Sequence, residues 1–142
     1  MIPARIGLVT LGVRDLAVAA DFYERLGWPR RGDAASGVVL FETAGARLAL
    51  YPLAELARSL AAADLPAHGA FRGSALVVHL DGPDAVDAAC ETARGAGATI
   101  VAEPHGTHSD GRQAEWRGRV CLFTDPDGNL WELLGRDPPP VT

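Results

Sequence analysis

The sequence predicts an α+β fold built from two βαβββ modules. Three observations carry this. Short apolar runs of strand type alternate with two amphipathic helical stretches. The whole pattern then restarts near the middle of the chain: "GLVTLGVRDLAVAADFYERLGW" and "ALVVHLDGPDAVDAACETARGAGA" share their order of apolar, acidic and glycine positions at an offset of about 69 to 70 residues. One such module would leave one face of its sheet bare, so two are expected to share a core and to curve around a cleft.

The elements follow in order. "IGLVTLGV" (6–13) is rich in aliphatic residues and reads as a strand. Asp15 is placed to cap a helix whose stripe runs through Leu16, Ala19, Ala20, Phe22, Tyr23 and Leu26, with Gly27 closing it. "GVVLFETAG" and "ARLALYP" read as two strands, "LAELARSLAAADL" (53–65) as a helix and "PAHGAFRG" (66–73) as a loop. The second module repeats strand, acidic turn, helix and strand. "RVCLFTD" and "NLWELLG" then make a hairpin about Pro126-Asp127-Gly128. The expected organisation is one domain, with module 1 at about 5–65, module 2 at about 73–135 and a frayed tail over 136–142.

Composition narrows the function. Of 142 residues, 48% are hydrophobic and 22% charged, ordinary for a globular chain. No apolar run approaches the roughly 20 residues of a membrane span, and the N-terminus makes a poor signal peptide, so a cytoplasmic protein is expected. A net charge of −5 disfavours nucleic acid. All 13 basic residues are Arg, a usage that points to a GC-rich bacterial source. Cys90 and Cys121 are far apart and expected to be free and buried. "DPDGN" is not a calcium loop, because the required Gly and Glu are Leu130 and Arg136. Without Lys there is no Walker motif, and no Gly-rich dinucleotide loop follows a strand.

"LGVRDLAVAADFYERLGW" (11–28) and "LFTDPDGNLWEL" (122–133) give the chain a family likeness. It resembles the vicinal-oxygen-chelate superfamily, which includes glyoxalase I, bleomycin-resistance proteins and extradiol dioxygenases. The resemblance spans about residues 5 to 135. It implies a glyoxalase-like fold with a cup-shaped cavity, and a homodimer. In the enzymes it also implies a divalent metal held by three or four side chains, drawn from the first and the late strands of each module.

Carried onto this sequence, the resemblance puts the first metal position at Leu8, with Thr10 next on the same face. The second falls at Ala75, with Val77 and His79 beside it. The third falls around Leu48 or Leu50, and the last is Glu132. Leucine and alanine offer no donor atom, and an open catalytic metal site needs about three protein ligands. The expectation is therefore a protein that takes a small amphipathic or aromatic molecule against Leu8, Thr10, Leu50, Ala75, Val77, His79 and Glu132, with no metal or other cofactor. Glu132 is the candidate catalytic group, since a carboxyl in an apolar cleft serves as a general base. The alternative is a lyase, isomerase or dioxygenase whose metal sits on a shifted set of His79, His105, His108 and Glu132. Residues 105–119 read as a polar loop at the cavity mouth, where Trp116 with Arg112, Arg117 or Arg119 would stack on an anionic or aromatic ligand. Trp131 alternates with Glu132 and is expected to face away from it.

Overall fold

Apolar residues two apart on a strand and three or four apart on a helix meet in each half of this chain, and each half builds its own sheet. The computed structural model describes residues 1–60, 71–108 and 117–138. By contacts the chain divides into Met1–Ala70 and Phe71–Thr142.

In the first unit, β1 (Leu8–Val13) leads into α1 (Leu16–Arg25). Asp15 caps that helix as its sequence position demands: the carboxylate accepts a 3.0 Å bond from the Val18 amide. The helix buries Ala19, Ala20, Phe22 and Tyr23. Next come β2 (Arg30–Arg31), a 3₁₀ turn over Ala34–Ser36, β3 (Val39–Phe41), β4 (Arg47–Pro52) and α2 (Leu53–Ser59). The sheet order is β1-β4-β3-β2, with β1 parallel to β4 and the other pairs antiparallel. Tyr23 centres the core, its ring 5.8 Å from that of Phe41, 5.6 Å from Trp28 and 5.0 Å, edge-on, from Phe22.

In the second unit, β5 (Leu76–Leu80), α3 (Asp84–Ala96), β6 (Thr99–His108), β7 (Arg117–Thr124) and β8 (Leu130–Arg136) repeat that plan, in the order β5-β8-β7-β6 with β5 parallel to β8. Val86, Cys90, Ala93 and Ala96 form the buried stripe of α3. Phe123 and Trp131 stack at 6.4 Å, with planes 8° apart.

Four details correct the sequence reading. The two-residue β2 carries no periodicity of its own and exists only through its pairing with β3. α3 starts on Pro83, which supplies no capping side chain, and Asp84 and Asp87 lie inside its first turn. Residues 105–108 and 117–119 are strand, not loop. Residues 105–108 are polar because β6 is an edge strand. β8 runs on through Arg136, paired with Gly118, and the Asp137 amide still donates to the Arg117 carbonyl at 2.8 Å. Of the expected helix over 53–65, the stretch from 61 lies outside the described residues.

Candidate functional site

Each sheet has one face covered by its long helix, α1 in the first unit and α3 in the second, and an opposite face. In the second unit the buried Cys121 lies 2.9 Å from Cys90 of α3, so Cys121, Phe123 and their register partners Leu133, Trp131, Val78 and Leu76 form the helix face. Trp131 thus faces away from Glu132, toward the α3 layer. The opposite face reads as rows across the strands. One row aligns Val77, Glu132, Leu122 and Ala102; the next aligns His79, Leu134, Val120 and His105. Glu132 is half-buried between two aliphatic neighbours, and His79 is exposed. His79 stands one strand over and two residues along from Glu132, about 8 Å between backbones. Ala75, exposed, directly precedes β5.

In the first unit, Phe41 touches Tyr23 of α1, which makes the row Val9, Leu48, Phe41 and its neighbour Leu11, Leu50, Val39 the helix face. Leu8, Thr10, Ala49 and Leu40 belong to the other face. Leu8 is 50% exposed and Leu50 is 0% exposed. This corrects the grouping of Leu50 with Leu8 and Thr10: Leu50 is a core residue under α1. At the far end of the second face, a Cβ on Gly12 would meet Leu53 Cδ1 at 2.6 Å, so α2 packs down where β1 has no side chain.

The turn from β7 to β8 is built by Asp125. Its Oδ1 accepts from the amides of Asp127 and Asn129, both at 2.9 Å, and its Oδ2 accepts from Asn129 Nδ2 at 2.8 Å. Gly128 supplies the positive φ of 84° that the turn needs. Arg72 donates to Asn129 Oδ1 at 2.6 Å and to the Asp127 carbonyl at 3.2 Å. These carboxylates are 3% and 4% exposed, for Asp125 and Asp127, and the three Asp125 bonds hold the turn that aims β8.

The model of the Glyoxalase/Bleomycin resistance protein/Dioxygenase superfamily matches residues 5–133. The chain belongs to that superfamily. Solved structures agree on the fold. A hypothetical protein from S. aureus superposes with a TM-score of 0.75 at 20% identity, covering 95% of both chains. A glyoxalase-related enzyme from Fulvimarina pelagi gives 0.74 at 21%, covering 93% of this chain and 88% of its own. A glyoxalase/bleomycin resistance protein/dioxygenase from Nocardioides gives 0.73 at 22%, covering 100% and 92%. No curated protein matches the chain significantly.

Register relates the positions that the resemblance implies as metal ligands. Val77 pairs with Glu132 in the second unit as Thr10 pairs with Ala49 in the first. The first-unit counterpart of Glu132 is therefore Ala49, not Leu48 or Leu50. Leu8, Ala49 and Ala75 hold no side-chain donor, so this donor set does not fit the superfamily's metal. Strand order separates two members of the shifted set. His79 on β5 and His105 on β6 lie on opposite edge strands, three strand spacings or about 14 Å apart. His105 is exposed and its Nδ1 lies 2.8 Å from the Glu103 carbonyl. The backbone of His108 pairs with Arg117 on the same edge as His105. Among the described residues no three His, Cys, Asp or Glu side chains converge.

Of the basic residues near 105–119, Arg119 is already engaged. Its Nε and an Nη donate to the two oxygens of Asp87 on α3, at 2.6 and 2.8 Å. That hydrogen bond holds the Asp87 carboxyl below its usual range and raises Arg119. Arg119 is therefore not poised for an anionic ligand. Arg112 and Trp116 lie outside the described residues. Leu122, the other partner of Glu132, was missed by the sequence reading, because every residue in "VCLF" is apolar and alternation there is invisible.

Proposed function

We propose that this superfamily member binds a small amphipathic or aromatic molecule, and that it does so without the superfamily's usual metal. One observation carries the reading: Glu132 survives alone among the metal positions, flanked in its row by Val77, Leu122 and Ala102. A single acid in an aliphatic row suits a ligand with an apolar body and a donor or cationic group. His79, on the Glu132 face, offers a second polar contact. We place the protein in the bacterial cytoplasm as a homodimer. No described helix is long and apolar enough to cross a membrane, and the sheets end on the edge strands β1, β2, β5 and β6, which suit pairing. A metal-dependent lyase, isomerase or dioxygenase is the second reading. Among the described residues it has in its favour the shared face of His79 and Glu132, two groups where an open catalytic site takes three.

Thermal-shift titration separates the two. Divalent zinc, nickel and manganese are expected to leave the melting temperature unchanged, while a panel of hydrophobic amines and aromatic metabolites yields a stabilising binder. Glu132→Gln is expected to weaken that binder about tenfold, the loss of a charge-assisted bond. A stoichiometric metal after tag-free purification, with a strong shift from metal alone, would overturn the metal-free reading.

A further inference from the structure

α3 is fastened to β7 at two points on one face. Asp87 and Cys90 lie three residues apart on the helix, and Arg119 and Cys121 two apart on the strand. The outer pair is the ion pair already described. The inner pair is two thiols, both 0% exposed, with sulfurs 2.9 Å apart. Neither residue has a part in the Glu132 face.

That separation is informative. Two non-bonded sulfurs, larger than carbon, keep at least about 3.5 Å between them. Two thiolates on one zinc ion, each at about 2.3 Å, stand about 3.8 Å apart. A disulfide needs about 2.05 Å. The pair is therefore closer than either a passive contact or a shared metal requires, and less than an ångström from a bond. Asp87 and Arg119 fasten the same helix to the same strand beside the thiols.

We propose that Cys90 and Cys121 form a reversible intrachain disulfide joining α3 to β7, with a small-molecule disulfide as oxidant. In the first step one cysteine thiolate attacks the reagent, giving a mixed disulfide and releasing one reagent thiol. In the second, the other cysteine displaces the second reagent thiol and the Cys90–Cys121 bond forms. Two protein thiols are oxidised and one reagent disulfide is reduced to two thiols. Burial, with the bond to Cys90 adding to it, pushes the Cys121 thiol up to about 12. In the folded chain the first step is therefore slow, and the bond forms fastest during folding, before α3 docks.

The test uses the full chain and glutathione disulfide. One sample is reduced, unfolded and refolded with the reagent; another is treated folded. Both are then unfolded, alkylated and weighed. The refolded sample is expected to lose two hydrogens and take no alkyl group. Its peptide map should join Cys90 to Cys121, and its melting temperature should rise by about 5 °C. The folded sample should reach the same product more slowly. Two alkyl groups, a persistent glutathione adduct or a bond between chains in the refolded sample would overturn the proposal, as would a bridged species that melts lower. Cys90→Ser and Cys121→Ser should each abolish the mass loss. If either variant fails to fold, the wild-type peptide map still decides.

Discussion

The two units share one plan and differ in what they do with it. Both run strand, helix and three strands, and both pair their first strand in parallel with their last. The first unit is knitted by aromatics: Phe22, Tyr23, Trp28 and Phe41 meet around one ring, and its middle strands are only two and three residues long. The second unit is fastened by long strands of ten, eight and seven residues, and by polar and sulfur links from α3 to the sheet. Chemistry is unequal too. At matched register the first unit has Ala49 where the second has Glu132, and Gly12 where the second has His79. Duplication of a scaffold preserves the apolar positions that fold it, while the outward positions are free to diverge. At these two matched positions the polar group lies in the second copy.

Substitutions can break this contrast. The largest effect is expected from Phe41→Ala. It removes a fully buried ring against Tyr23 and should cost about 3–5 kcal/mol, read as a lower urea midpoint. If the loss were below about 1 kcal/mol, the aromatic cluster would not be what holds the first unit. A pair of glycines gives a sharper comparison. In Gly135→Ala the new Cβ runs into the Gly82 carbonyl and Pro83 Cα, which are backbone and cannot yield. In Gly12→Ala it meets the tip of Leu53, a side chain that can turn aside. The first should cost about 3 kcal/mol and the second about 1 kcal/mol, and equal losses would contradict a rigid anchoring of the start of α3 on β8.

The smallest effect is expected from Asp87→Asn. The folded-state pKa of Asp87 is lowered from 3.8, chiefly by the Arg119 hydrogen bond. Its contribution is therefore present above that value and lost as pH falls through the lower folded pKa. Wild type should lose stability to its variant progressively below about pH 4, with a constant small gap above. Added salt should shrink the gap, because the pair is exposed. Urea midpoints from pH 2 to 6 measure it.

The fold was legible because its core positions repeat. The stripe of α1, the cap at Asp15 and the turn at Asp125 each rest on local chemistry that the residues announce. The site was less legible. Which face a residue takes depends on register, and a run such as Leu48-Ala49-Leu50 has no polar marker to fix it. Leu50 was placed on the wrong face for that reason, and Leu122 was overlooked. The distance between His79 and His105 depends on strand order, which spacing along the chain does not encode. The polar stretch at His105 resembled a loop because an edge strand facing water has no need of alternation.

The Asp125 turn has one more consequence, for how this protein ages. An Asp-Gly sequence such as Asp127-Gly128 is a common site of chemical damage, in which the carboxyl closes onto the next amide nitrogen and leaves an isoaspartyl link. Here the Gly128 nitrogen is turned toward the Asp125 carbonyl, to which it donates at 3.0 Å, and Asp127 is 4% exposed. With its N–H in that bond and Asp127 buried, the folded turn slows this reaction, and the clock runs faster in chains that have opened.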